Sequence, residues 1–260
     1  MFAQVRTKNP SAAPLRRSIF VNRRAVVRLG SRTATEQCFP GRRDIIEVNT
    51  VSSIENSRDK LRMKECFSRF DVPQAEWWVA LNNTNYLRDT RDHDTLINAL
   101  PYPLVGKQIV GFKGHGMQLI ENETQLREFI RTHDNRYFIE NFYNYAREYR
   151  IHATSDHSFL AWRKLRRSDA EQRWFFNSTN CNWVGEDHDL FQRPNNWDEL
   201  CNSAVMAVRA VGLDIGAVDI RVQSRNNPEY IVCEVNSAPQ LGDIGIEHYR
   251  REITNIINNK

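Results

Sequence analysis

Cysteine is scarce and shows no pairing pattern. The chain has five in 260 residues (Cys38, Cys66, Cys181, Cys201 and Cys233), an odd number, widely spaced and without a CxxC. That spacing indicates neither a disulfide framework nor a zinc knuckle. A reducing, cytoplasmic location is therefore expected. Long apolar runs are also missing, because Arg and Lys interrupt every candidate, and no membrane contact is expected. The opening MFAQVRTKNPSAAPLRRS lacks the apolar stretch of a secretory signal. Basic and free of acids, it reads as a disordered tail over residues 1–18. No internal repeat and no long low-complexity tract occurs.

What is present is ordinary for a folded protein: 40% hydrophobic and 26% charged residues, in a length that can bury a core. The charge is uneven. Residues 1–43 hold ten Arg or Lys and one acid, Glu36, a local charge of +9 that leaves the remainder at −5 against the overall +4. Such a head could attract a polyanion. No aromatic residues alternate with its basic ones as a stacking platform requires, so nucleic acid is not the expected partner.

The patterning mixes helices with hairpins, which argues an α+β fold. RRAVVRLGS and RRDIIEVNT read as short strands, the first turning at Gly30. SIENSRDKLRMKECFSRF (53–70) reads as one helix, stopped by Asp71–Pro73. NETQLREFIRTH reads as a helix capped by Asn122, and RYFIENFY as a strand. EYRIHATSDHSFLAWRKL reads as a hairpin turning at 155–158. NWDELCNSAVMAVRAVG is a helix with Gly212 as its terminal cap. GAVDIRVQ and EYIVCEVN form a last pair of strands.

That last pair carries the first chemical signal. Residues two apart on a strand share a face, so Glu234 and Asn236 point together, with Cys233 and Val235 expected on the core side. If the register brings Asp219 alongside, three oxygen donors suit a hard cation such as magnesium; otherwise they are solvated strand ends. Gly111, Gly114 and Gly116 lie between two extended segments. They let backbone N–H groups approach phosphate oxygens, or form a flexible turn. No Gly-Lys-Ser/Thr follows and no helix comes next, so this is neither a P-loop nor a dinucleotide turn. Lys107 closes an apolar strand, where an anion would suit it. Lys60 opens a helix.

SRDKLRMKECFSRFDVP, YPLVGKQIVGFKGHGMQLI, RYFIENFY, REYRIHA and GAVDIRV…YIVCEVNSAP occur in this order. Together they resemble the ATP-grasp superfamily, in particular its carboxylate–amine ligases, such as the enzymes that add glutamate to ribosomal protein. The resemblance runs from about Ile45 to Ile246. It implies two α+β lobes whose antiparallel sheets grip ATP, with the divisions 1–18 (tail), 19–52 (remnant of a preceding domain), 53–138 (first lobe) and 139–260 (second lobe). It also implies roles. Lys60 and Lys107 would touch the phosphates, and Gly111, Lys113, Gly114, His115, Gly116 and Met117 would fold over the nucleotide. Glu140, Asn141 and Phe142 would read adenine, mostly through backbone groups. Glu148 would hold the ribose, and Asn177 would be a late polar ligand. Arg150 and Lys164 would stabilise the transferring phosphoryl group. Asp219, Glu234 and Asn236 would bind magnesium, with manganese as an alternative. Arg28, Ser31, Arg147, Arg166 and Arg221 are candidates for the wall beside the γ-phosphate.

The implied reaction is ATP-dependent joining of a carboxylate to an amine (a small molecule, peptide or protein tail) through an acyl phosphate. Most relatives carry a full α/β domain where only about fifty residues stand here. A partner or second subunit is therefore expected to complete the substrate site. The competing expectation is an ATP-binding regulatory or structural protein of the same fold without turnover.

Overall fold

In the computed structural model, residues 1–79, 97–111, 114–133, 136–170, 174–176, 180–224 and 229–260 are described. Three sheets organise them. Strands β1 (Gln4–Thr7), β2 (Ala25–Leu29) and β3 (Ile46–Val48) pair in parallel in that order. A 3₁₀ helix (Pro10–Arg17) links β1 to β2, and a short helix α1 (Thr35–Cys38) links β2 to β3.

Residues 1–18 are thus folded, which corrects the expectation of a disordered tail. Ala3, just before β1, and Val5 on it, with Ala12 and Leu15, three apart on the 3₁₀ helix, are all buried. Asn9 starts that helix by accepting the Ser11 N–H at 3.1 Å, with Pro10 pre-set at its first turn. The apolar side chains pack against Tyr249, Ile253 and Ile257 of the C-terminal helix α6 (Asp243–Asn259).

The second sheet contains β4 (Trp77–Val79), β5 (Leu104–Gln108), β6 (Gln118–Ile120) and β7 (Tyr137–Asn141), antiparallel in the order β4-β7-β5-β6. Helix α4 (Glu123–Thr132) lays Leu126, Phe129 and Ile130 against it. Asn122 caps that helix by accepting the Gln125 N–H at 3.0 Å.

The third sheet contains β8 (Arg147–Thr154), β9 (Ser158–Arg166), β10 (Cys181–Gly185), β11 (Ile215–Val222) and β12 (Tyr230–Asn236), antiparallel in the order β10-β9-β8-β11-β12. Helix α5 (Trp197–Ala210) covers one face with Leu200, Ala204 and Val208. Helices α2 (Val51–Arg58) and α3 (Lys60–Arg69) join the same core through Ile54, Met63 and Phe67. Residues 54–67 therefore pack with the third sheet, and β7 crosses the 138/139 division drawn from sequence. The single helix expected over 53–70 is two helices. Asp59 is extended there (φ −87°, ψ 111°) and its carboxylate accepts the Leu61 and Arg62 N–H groups, restarting the helix at Lys60. Among the described residues no helix is long and apolar enough to cross a membrane.

Candidate active site

The uncovered face of the third sheet carries a buried lattice of charge. In β11 the core takes Val218, Ile220 and Val222, so Asp219 and Arg221 point the other way. The register sets Asp219 opposite Arg150 on one side and Glu234 on the other. Arg150 grips Asp219 through two parallel hydrogen bonds, Nε to Oδ1 at 2.7 Å and Nη2 to Oδ2 at 2.8 Å. Lys164 reaches the same Oδ2 at 3.1 Å and also bonds Glu148 Oε1. Arg221 Nε donates to Glu148 Oε2 at 3.0 Å. Burial alone would raise the Asp219 carboxyl, but Arg150 and Lys164 outweigh it and hold the group well below the usual carboxylate range. Burial likewise opposes the charge on Lys164, and Asp219 with Glu148 overcomes it and raises the ammonium.

A second cluster stands on the four-stranded sheet. Glu140 of β7 accepts from Lys107 of β5 and lies 3.1 Å from the Lys64 ammonium of α3. All three are buried. Burial would lift the Glu140 carboxyl; the two lysines reverse this and hold it at about 2. Lys64 itself lies below its ordinary value, because burial outweighs Glu140. Between the clusters, Lys60 donates to the Gly111 carbonyl at 3.1 Å and stands 3.8 Å from Glu234. It thereby joins the glycine-rich segment to the acid end of β12.

β12 departs from simple alternation. The ladder with β11 slips between Asp219 and Ile220, pairing Asp219 with Glu234 but Ile220 with Val232. Cys233 is the extra residue of a β-bulge. Val232 and Val235 enter the core, while Cys233, Glu234 and Asn236 remain partly exposed. Cys233 therefore does not share the core side with Val235, as expected from alternation. Burial pushes its thiol up to about 12, with the charges of Arg221 and Lys107 opposing the shift.

Several predicted residues behave differently from expectation. Glu148 Oε1 accepts from Lys164 and Oε2 from Arg221, so its carboxylate anchors two cations. The Glu140 side chain is held by lysines. The Asn141 and Phe142 N–H groups already donate to Glu76 and Pro103 carbonyls, so those two amides are not free to read a base. The buried Asn141 Oδ1 and Tyr143 hydroxyl, however, have no partner among the described residues. These are orphaned groups of the kind a heterocycle satisfies. Gly114 and Gly116 have φ of +73° and +70°. A Cβ on Gly114 would lie 2.5 Å from the Phe175 ring, so the segment leans on the third sheet's side of the cleft. His115 is exposed and Met117 half-buried. Lys113 and Asn177 lie outside the described residues.

Among the wall candidates, only Arg221 joins the charged lattice. Arg28 is fully buried in the N-terminal sheet, bonded to Glu47 and Thr35. Ser31 bonds Thr33, Arg147 bonds Gln192, and Arg166 packs on Phe176. Lys64 was missed by the sequence reading, although it lies one helical turn beyond Lys60 on the same face. Trp183, whose ring lies under Arg150 and Lys164, was also missed.

The donor set for a cation is Glu234, Asn236 and the remaining lone pairs of Asp219. All are hard oxygens, which fits magnesium. The Asn236 amide donates to Glu234 Oε1 at 3.2 Å, leaving its own carbonyl oxygen available. Among the described residues no group of three or more His, Cys, Asp or Glu is placed to hold a metal. Two acids and an amide could supply such a set.

Two antiparallel sheets that carry buried charge, linked through Lys60 to a glycine-rich segment and to the acid end of β12, are the arrangement an ATP-grasp protein uses. Residues 57–255 match the model of the RimK-like ATP-grasp domain, and the chain belongs to that family. It is 29% identical over 199 residues to a probable alpha-L-glutamate ligase of Aeromonas salmonicida (strain A449), covering 75% of this chain and 60% of that protein. The chain thus spans about 60% of that relative's length. Solved structures share the fold. A biotin carboxylase from Campylobacter jejuni aligns at TM-score 0.63 with 16% identity, over 89% of this chain and 54% of that one. The D-alanine–D-alanine ligase from Bacillus anthracis complexed with ATP aligns at 0.60 with 14% identity, over 90% and 78%.

Proposed function

We propose that the protein is an ATP- and magnesium-dependent ligase that joins a carboxylate to an amine. The observation that carries this is the pair of buried charge clusters, Lys107–Glu140 on one sheet joined by Lys64 of α3, and Glu148–Lys164–Asp219–Arg150–Arg221 on the other. Cations held ready in a dry cleft by committed carboxylates stabilise charge that develops on a transferring phosphoryl group. Lys60, Lys107, Arg150 and Lys164 are assigned to the phosphates. Asn141 and Tyr143 are assigned to the base through their orphaned oxygens. Asp219, Glu234 and Asn236 would hold magnesium, which when bound neutralises phosphate charge.

In the reaction, a carboxylate oxygen takes the γ-phosphoryl group and ADP leaves. The amine nitrogen then attacks the carbonyl carbon, the C–O bond to phosphate breaks, inorganic phosphate departs, and the nitrogen loses a proton. Arg150 and Lys164 face the negative charge in both steps. The glycine-rich stretch, whose Gly114 stands against Phe175, would shield the acyl phosphate from water. No nucleophilic side chain is required. Amino acids and peptides are the substrate class drawn from the glutamate-ligase relative, acting in the cytoplasm, with a second subunit completing the substrate side.

One observation favours the other reading, an ATP-binding protein without turnover: Asp219 is already clasped by two cations. Both readings meet the same test. ADP release is measured with MgATP across a panel of carboxylates and amines, for the wild type and Glu234→Gln. Amine-dependent release that falls at least about 100-fold in Glu234→Gln supports the ligase. MgATP binding without release under any pair refutes it in favour of the second reading.

A further inference from the structure

Trp183 is on β10, the edge strand of the third sheet, directly across from Lys164 in the register. Its ring is 37% exposed and belongs to none of the hydrophobic cores. What it touches instead is charge. The Arg150 guanidinium carbon sits 4.8 Å from the ring centroid and the Lys164 ammonium 5.1 Å from it. Both cations hold the same carboxylate, Asp219.

The geometry divides the guanidinium into two uses. Its Nε and Nη2 donors are spent on Asp219, and its central carbon lies over the indole, the aromatic ring that attracts cations most strongly. A long arginine side chain bonded only along its edge can still pivot about that edge; a ring against its face removes that freedom. The aromatic–cation contact at Arg221 is built differently. Tyr145 lies 4.2 Å from the Arg221 guanidinium but is itself tied down, its hydroxyl accepting the Phe176 N–H at 3.1 Å.

We propose that Trp183 is a positioning residue for the triphosphate. Its ring face sets the plane of Arg150 and the height of Lys164, so that donors not used by Asp219 meet phosphate oxygens. The proposal rests on the ATP reading above and names a residue which that reading does not use. The ring contributes no donor to the phosphates. It acts through the two cations, so its effect must shrink when Arg150 is no longer a cation, leaving only the share carried by Lys164.

Calorimetric titration with MgATP tests this in Trp183→Phe, Trp183→Leu and Trp183→Ala, each also in an Arg150→Met background, with urea melts confirming that every variant is folded. Trp183→Leu and Trp183→Ala should weaken binding about tenfold, and Trp183→Phe, which keeps a π face, by no more than about threefold. In the Arg150→Met background the further loss from Trp183→Leu should shrink below about twofold. Equal affinity in all three single variants, or the same loss in both backgrounds, overturns the positioning role. Wild-type protein that does not bind MgATP refutes the nucleotide reading itself, a separate failure.

Discussion

Glu140→Gln removes one charge from the middle of the Lys64–Glu140–Lys107 cluster and keeps the side chain's shape. It strands Lys64, 2% exposed, and Lys107, 8% exposed, without an anion. Two routes give the magnitude. The carboxyl is held at about 2 instead of 4.5, which by linkage corresponds to about 3 kcal/mol. Removing one partner of a buried ion pair costs about 3–5 kcal/mol. Lys64 pulls the other way, since burial keeps its ammonium below its ordinary value. The depression at Glu140 is therefore an upper bound on the cluster's net contribution, and the lower end, about 3 kcal/mol, is expected. For a chain of this size that lowers Tm by about 6–12 °C.

The pH dependence has a definite sign. An acid whose pKa is depressed on folding stabilises the native state above its unfolded pKa and loses that contribution as pH falls. The gap between wild type and Glu140→Gln should stay constant from about pH 7 to 5 and close between 4.5 and about 2. Urea melts followed by circular dichroism at several pH values measure it. Adding Lys64→Met to Glu140→Gln should recover part of the loss, because an apolar side chain replaces an unpaired buried cation. A Tm change under about 2 °C at neutral pH, or a gap that does not close in acid, would refute the reasoning.

Two further outcomes are expected. Deleting residues 1–18 should destabilise the fold strongly, since Leu15 and Val5 alone account for about 3–6 kcal/mol of burial; a truncated chain with an unchanged Tm would return those residues to the status of a tail. Cys233 should resist iodoacetamide at neutral pH, with its rate rising only as pH approaches 12, because the thiolate is the nucleophile and the thiol is pushed up to about 12; rapid labelling at pH 7 in the folded state would contradict the burial that causes the shift.

The last hairpin was legible in the sequence because its chemistry repeats every two residues, and the structure sets Asp219 against Glu234. The helix caps at Asn122 and Gly212 were legible because each is a local event, an N-cap acceptor and a φ of +77°. The partners of the charged groups were not. Glu148 looks like any strand-end acid until Lys164 and Arg221, 16 and 73 residues away in the chain, close on it. Lys64 was hidden by composition, since KLRMKE reads as a solvated face. Residues 1–18 misled because ten cations against one acid across 1–43 outweighed a short alternation, Ala3 and Val5, whose partners come from the far end of the chain. The break at Asp59 was signalled by an aspartate before Lys-Leu-Arg, but a continuous apolar stripe masked it.

The extra residue at Cys233 also acts as a ruler. Upstream of it, β12 keeps one phase, with Val232 inward; downstream it keeps the opposite phase, with Val235 inward three positions later. The end of the strand that carries Glu234 and Asn236 is thus set in orientation independently of the end that packs beside Arg221. One residue of strand is about 3.3 Å. The separation between the cation lattice around Glu148 and the oxygen donors at Glu234 and Asn236 is therefore fixed by a single inserted amino acid. Lengthening or shortening the strand there would change the span available to a triphosphate without disturbing the core behind it.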